Sequence, residues 1–509
     1  MTRIPLHPLL FALAAVLSIY ASAPGQTHPE ELAFASRAAI AVSAFLIIIA
    51  SACYRDWRKA ALLVSVLLVV LVAFDPLYAR IEDLSVAGWR PGRRRYVLPL
   101  TYAAILAFAV WLYRWRGQIA VVTGFANMLA LGAVLPPAAT LGMARMDVAH
   151  AAVLSRSQVP MPARTPASKR DIYYLVFDRY GSDDTLRKYG LENDLDEYLT
   201  GKGFFVARDS RANYVKTVLS LASSLNLDYL DELATGRTQS ADFLPIYNHV
   251  AQHRVGAFLR SQGYSYVHLG SWYWPTRLNP QATRNVNYFV TVPRAAMRVL
   301  DSVFVQGLRR VFDQPWFDQR RQNWVRVRQQ VDDVVRLVPE PGPKFVLLHV
   351  LVPHPPYVFN ADGRYVTLEA ESRRSLAENY RNQIVAANTM IKHMVDRILK
   401  ASATPPVIIV QGDEGPYPEG TDHAAYDWRQ ATAEQLRERS GVLNAYYLPD
   451  ANPQFLHSGI SPVNSFRIVF NTYFGTNLPL LPDRTFRHVS DFRPYALDDI
   501  TRLVDGSAD

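Results

Sequence analysis

Three runs of strand-forming residues end in side chains that bind metals or move protons. The run 171–178, DIYYLVFD, closes on Asp178. The run 344–352, KFVLLHVLV, passes straight into Pro353-His354-Pro355-Pro356-Tyr357. The run 405–413, PPVIIVQGD, ends on Asp413, with Glu414 and Gly415 next. One acid at a strand end is an ordinary turn or cap residue. Three such ends in series put carboxylates and an imidazole where open α/β sheets collect ligands, beyond the carboxyl ends of their strands. Carboxylates gathered there suit hard divalent cations, and an imidazole held between prolines suits a positioned catalytic group.

A further group follows the run 264–270, YSYVHLG: His268, Trp272, Tyr273, Trp274 and Arg277. It reads either as a substrate rim, with aromatics for a sugar or lipid and Arg277 for an anion, or as a buried aromatic loop. His349 lies within its strand run and reads as a core residue.

These residues need a scaffold. Strand-length runs at 171–178, 264–270, 344–352, 405–413 and 443–449 alternate with helical periodicity at 247–262, 294–312, 322–338, 376–400 and 462–474. Such alternation predicts a mainly parallel, doubly wound sheet over residues 171–500. Residues 151–170 include VPMPARTPAS and read as a proline-rich linker.

Residues 1–150 differ in kind. Apolar stretches at 6–23, 38–53, 60–78, 97–115 and 119–141 qualify, or nearly so, as membrane spans of about 20 residues. The first ends in Ala21-Ser22-Ala23, which resembles a signal-peptidase site, but the spans that follow favour an uncleaved helix. With the N-terminus inside, Arg55, Arg58, Lys59, Arg114 and Arg116 face the cytoplasm, and the C-terminal domain lies outside. The loop holding Arg80, Arg90, Arg93, Arg94 and Arg95 then breaks the charge rule; it reads as a basic collar for anionic lipid or as a sign of a re-entrant span.

The chain has 509 residues and a net charge of +9, which reads as loop charge near lipid headgroups. No basic stripe or recognition motif points to nucleic acid. The single cysteine, Cys53, lies in an apolar run, so cysteine chemistry is excluded from the soluble part.

The series of strand-Asp, a hydroxyl residue opening a helix, PHxPY and strand-Asp-x-Gly resembles the alkaline phosphatase/sulfatase superfamily over roughly residues 170–475. It is most similar to the membrane-anchored branch that includes lipoteichoic acid synthases and lipid A phosphoethanolamine transferases. The resemblance implies an N-terminal helical transmembrane domain joined to a C-terminal α/β sulfatase-like domain. It implies Thr217 as nucleophile, in YVKTVLSLAS (214–223), with Ser220 as runner-up. A hydroxyl needs a cation and a helix N-terminus to become a nucleophile, and Thr217 opens an expected helix; the plainer role is a cap. Asp178, Thr217, Asp413 and Glu414 are implied ligands of one divalent ion, Mn²⁺, Mg²⁺, Ca²⁺ or Zn²⁺. Glu414 departs from the family, where histidine or asparagine stands. His354 is implied to contact the phosphoryl or leaving group. His423, in Gly420-Thr421-Asp422-His423, matches a further active-site histidine or is a solvated loop residue. Asn464 and Arg467 match a structural helix. A formylglycine sulfatase fits poorly, because Thr217 lacks the required cysteine or serine context, and phosphoester chemistry fits better.

The expected activity is hydrolysis or transfer of a phosphoester on a lipid-linked or envelope-glycan substrate. The expected location is a bacterial-type inner membrane, with the catalytic domain extracytoplasmic. The competing expectation is a catalytically silent sulfatase-like module that binds an envelope polymer. A transporter fits poorly, because the spans hold few charges and no repeat.

Overall fold

The computed structural model describes residues 4–22, 29–85, 89–154, 169–286, 296, 298–299, 302–305 and 318–506. The chain divides into two compact units, Met1–His150 with Phe289–Gln314, and Ala151–Tyr288 with Pro315–Asp509.

The first unit holds α1 (His7–Ala21), α2 (Pro29–Tyr54), α3 (Trp57–Ile81), α4 (Arg94–Arg114) and α5 (Ile119–Leu154). Four helical segments, Glu31–Tyr54, Trp57–Ile81, Arg94–Arg114 and Ile119–Met143, are long and apolar enough to cross a membrane. At 15 residues α1 is shorter than the first expected span, 6–23, and than a membrane crossing requires. Its start is fixed from α5, where Asn127 accepts from the backbone N–H groups of Leu6 and His7 and donates to the Ile4 carbonyl. Large apolar side chains such as Leu100, Leu106, Val121 and Met128 stand exposed on these helices, as lipid-facing residues do. Residues 302–305 belong to this unit. Asp75 of α3 accepts from the Val303 amide at 3.0 Å, Tyr102 of α4 donates to the Phe304 carbonyl at 2.6 Å, and Phe304 packs on Phe74 and Tyr78. The rest of the helix expected over 294–312 lies largely outside the described residues, as do residues 155–168 of the expected linker.

The second unit is built on a sheet of order β2-β7-β6-β1-β5-β3-β4. Its strands are β1 (Ile172–Phe177), β2 (Phe205–Val206), β3 (Ser265–Leu269), β4 (Arg284–Val286), β5 (Lys344–Val350), β6 (Val407–Gly412) and β7 (Asn444–Tyr447). β1 pairs in parallel with both β5 and β6, whereas β7 and β2 run antiparallel at one edge. The sheet is therefore mixed, with the expected parallel pattern at its centre.

β1, β5 and β6 are buried along their whole length, which is why their sequences are nearly continuous apolar runs. Alternate β1 residues face two cores. Tyr173, Leu175 and Phe177 join helices Gln319–Leu337 and Leu376–Ala401; Ile172, Tyr174 and Val176 join helices Thr217–Asn226, Leu244–Ala251, Arg254–Ser261 and Ser465–Phe474. The single helix expected over 247–262 is two, broken where His253 caps the second by accepting from the Gly256 amide. A small hairpin, β8 (Phe486–Ser490) and β9 (Arg493–Asp499), lies outside the main sheet.

Candidate active site

Three adjacent central strands each carry one buried polar group to the same end of the sheet. Asp178 follows β1 and continues its ladder, its amide donating to the Val350 carbonyl. His349 is the penultimate residue of β5, in register with Val176, so it shares a face with Val176 and, two residues on, Asp178. Asp413 follows β6. One ligand atom from each of Asp178, His349 and Asp413 lies within 4.8 Å of the others. Nε2 of His349 is 3.4 Å from Oδ2 of Asp178. Asp178 Oδ1, Asp413 Oδ2 and His349 Nε2 are all buried without a hydrogen-bond partner. Unpartnered buried polar atoms are costly, and three clustered residues that each carry one mark a place for a cation. Burial and the Glu414 carboxylate push Asp178 up to about 8, and burial with the Asp178 charge pushes Asp413 well up. A divalent cation would relieve both effects. Burial pulls His349 down to about 4, so its imidazole is neutral at neutral pH, the form that ligates. This donor set fits the divalent ion expected from the sequence.

Two glycines bring the backbones together around Asp413 and Glu414. A Cβ at Gly412 would stand 2.3 Å from the Tyr180 carbonyl oxygen, and one at Gly415 would stand 2.1 Å from that of Glu438. Arg179 takes the left-handed conformation at φ +66°, a strained choice for arginine. That turn aims its amide at Oδ1 of Asp413 at 3.0 Å and its guanidinium at Asp422.

Thr217 is the first residue of its helix, with Lys216 before it at the cap position. Its hydroxyl donates to Oε1 of Glu414 at 3.0 Å. Glu414 is buried, paired through Oε2 with Arg439 and through Oε1 with Arg179 at 3.7 Å. Both guanidiniums stack on Tyr417. Thr217 and Glu414 thus meet each other, and Glu414 is engaged by cations. Ser220 lies one turn further along the helix, with its hydroxyl buried.

His354 is half-buried. Its Nδ1–H donates to the Pro355 carbonyl, its amide donates to the Asp178 carbonyl, and burial and Arg179 hold its imidazole neutral. The loop around it is gripped by Gln383. This side chain donates to the Pro353 and His354 carbonyls, each at 3.0 Å, and accepts from the Val358 and Phe359 amides. His423 is exposed beside Asp422, against Tyr426. His268 is buried within β3, bonded to Tyr266 and to the Thr276 carbonyl. Arg277 is half-buried over Trp274. Asn464 and Arg467 bond to backbone carbonyls of neighbouring segments.

His349, expected as a core residue, is buried but stands beside Asp178 and Asp413, and Arg439 and Gln383 were not expected at the site. The signal for His349 was present: a histidine at the carboxyl end of an otherwise apolar central strand must be satisfied by something. Gln383 and Arg439 lie on helices, and nothing in their local sequence marks them.

The sulfatase family model matches residues 183–439, half of the chain, and the chain belongs to that family. No curated protein matches it in sequence. Among solved structures, the C-terminal periplasmic domain of EcEptC from Escherichia coli is similar at 13% identity, covering 69% of this chain and 99% of that one, with a TM-score of 0.44. The same domain of phosphoethanolamine transferase EptC from Campylobacter jejuni is similar at 10% identity, covering 62% and 92%, with a TM-score of 0.40. The soluble domain of lipooligosaccharide phosphoethanolamine transferase A from Neisseria meningitidis is similar at 13% identity, covering 62% and 90%, with a TM-score of 0.39.

Proposed function

We propose that this protein is a membrane-anchored, metal-dependent hydrolase or transferase acting on phosphoesters through Thr217. The observation that carries this reading is the clustering of Asp178, His349 and Asp413, each buried with an unpartnered polar atom, at the ends of three adjacent strands. Two carboxylates and an imidazole suit Zn²⁺ or Mn²⁺ better than Mg²⁺ or Ca²⁺. When bound, such an ion supplies positive charge that stabilises an attacking oxygen and the oxygens around phosphorus.

The remaining chemistry belongs to the chain. Oε1 of Glu414 accepts the Thr217 hydrogen bond and is the group placed to take that proton as Oγ1 bonds to phosphorus, the bond from phosphorus to the leaving alcohol's oxygen breaks, and that oxygen takes a proton from solvent. The free amides at the start of the Thr217 helix hold a phosphoryl oxygen. Because Nδ1–H of His354 is used by the Pro355 carbonyl, its Nε2 carries the lone pair. That nitrogen accepts a proton from the water or acceptor hydroxyl that bonds to phosphorus as the P–Oγ1 bond breaks, and Thr217 takes its proton back from Glu414. His423 stands at the exposed rim. The apolar helices favour a lipid-linked or envelope-glycan substrate. An extracytoplasmic site on a bacterial-type inner membrane is part of the same proposal.

The test is mass spectrometry of the purified full-length protein after incubation with candidate phospholipids. A phosphoryl-containing mass adduct on Thr217 supports the reading. No adduct, together with full turnover by Thr217→Ala, ends it. A second reading, a silent module that binds an envelope polymer, draws on the engagement of Glu414 by Arg439 and Arg179. Metal analysis separates the two: no tightly held divalent ion, even with added Mn²⁺, favours the silent module.

A further inference from the structure

The loop between β3 and β4 sends a file of buried hydroxyls toward the metal-centre imidazole. Oγ1 of Thr276 is 2.7 Å from Nδ1 of His349. Oγ of Ser271 is 2.9 Å from Oγ1 of Thr276, accepts from the Tyr273 amide at 3.0 Å and reaches the Tyr273 carbonyl at 3.5 Å. Ser271, Thr276 and His349 are each at most 1% exposed. The Thr276 carbonyl is itself held, accepting from the Ser271 amide at 3.1 Å and facing Nε2 of His268 at 2.9 Å.

We propose that Thr276 and Ser271 are positioning residues that select the Nδ1–H tautomer of His349 and so present its Nε2 lone pair to the cation. The proposal rests on the reading of Asp178, His349 and Asp413 as a metal centre. A neutral imidazole carries one N–H and one lone pair, and the partner of one nitrogen decides the state of the other. With the hydrogen on Nδ1, it goes to Thr276 Oγ1, the Thr276 hydrogen goes to Ser271 Oγ, and the Ser271 hydrogen goes to the Tyr273 carbonyl. Every donor then has an acceptor and Nε2 is free to ligate. With the file reversed, Ser271 donates to Thr276, Thr276 donates to Nδ1, and the ring hydrogen sits on Nε2. That hydrogen faces Oδ2 of Asp178 and blocks ligation. The Tyr273 carbonyl that ends the file can only accept, so the two hydroxyls favour the direction that leaves Nε2 free, and a cation there holds it.

Each deletion has a defined effect. Thr276→Val keeps the shape but leaves the Nδ1–H of the cation-bound form without an acceptor. Ser271→Ala leaves His349 Nδ1 as the acceptor that the Thr276 hydroxyl faces, which favours the blocking tautomer. Thr276→Ser keeps the relay. This assigns to the loop a task that neither its rim reading nor its packing reading supplies.

The experiment strips the full-length protein in detergent with a chelator and titrates it with Zn²⁺ against a chromophoric competitor. Orienting partners of metal-binding histidines are worth about 10–100-fold in affinity, so Thr276→Val and Ser271→Ala are expected to bind Zn²⁺ weaker by about that factor. Thr276→Ser stays within about threefold of wild type. Thermal melting of the ion-free variants shows that each is folded, and if Thr276→Val is not, Ser271→Ala decides. Wild-type affinity in both, with weakened binding in His349→Ala, overturns the relay and leaves the metal centre standing. No Zn²⁺ bound by wild type, or undiminished binding by His349→Ala, overturns the metal centre and the relay with it.

Discussion

The Thr217 hydroxyl donates to one oxygen of Glu414, and the other oxygen of that carboxylate is paired with Arg439. Arg439 is fully buried, its guanidinium lies 3.6 Å from the Tyr417 ring centroid, and Arg179 lies 4.0 Å from the same ring. Glu414 is thus an anion wedged between two cations. Removing one partner of a buried ion pair strands the other charge. Glu414→Gln is therefore expected to destabilise the protein by about 3–5 kcal/mol, seen as a lower thermal midpoint. Replacing Glu414 and Arg439 together by Gln and Met should recover most of that loss. An unchanged midpoint in the single variant would show that the pair does not hold this end of the sheet.

Thr217 is buried and its hydroxyl bonds to Oε1 of Glu414, so truncation should disturb chemistry more than fold. Thr217→Ala is expected to lower turnover at least about 10³-fold, with unaltered Zn²⁺ stoichiometry and no mass adduct. Thr217→Ser should keep a detectable adduct, since the hydroxyl remains at the helix start. Equal turnover in wild type and Thr217→Ala, measured on the same phosphoester, contradicts nucleophilic catalysis by this residue.

Much of this was written in local sequence, and what was not has a physical reason. The strands carrying Asp178 and Asp413 are short apolar runs closed by an acid, and a parallel strand buried on both faces cannot look otherwise. His349 was hidden by the same rule, since one polar residue inside such a run looks like a tolerated exception until its neighbours across the sheet are known. The division at His253 was hidden because apolar spacing continues through 247–262, and only the cap to Gly256 reveals the break. Glu414 was legible as unusual, but its partner Arg439 is 25 residues away on a helix whose sequence shows only alternating charge. The packing of residues 302–305 against the N-terminal helices is a long-range event; the local apolar and basic pattern of the sequence there fits a soluble helix equally well.

Gln383 makes four hydrogen bonds to the backbone of the loop that carries His354. Gln383→Leu is expected to lower kcat while leaving Zn²⁺ affinity within about threefold, because no metal ligand depends on it. His354→Ala should go further. If Nε2 activates the second nucleophile, this variant slows release by about 10²–10⁴-fold, and the Thr217 adduct accumulates during turnover. A variant that loses activity without raising the adduct level would assign His354 to the first step instead.

The pH dependence follows from Asp178. Burial and the Glu414 charge raise its carboxyl from 3.8 to about 8 in the ion-free fold, so folded protein binds a proton there that unfolded chain does not. Stability from this group is therefore fully present below about pH 4 and is lost as pH rises toward 8. Ion-free protein should melt at a lower temperature at pH 8 than at pH 6, and Asp178→Asn should flatten that trend. A cation needs the ionised carboxylate and must displace the proton. Its apparent affinity should rise about tenfold per pH unit between 6 and 8 for a one-proton exchange. Added Zn²⁺ should then raise the melting temperature more at pH 8 than at pH 6, cancelling the ion-free trend. Chelator competition at pH 6, 7 and 8 measures this directly. A flat affinity profile would mean that Asp178 is already ionised in the fold, and that burial and Glu414 do not govern it.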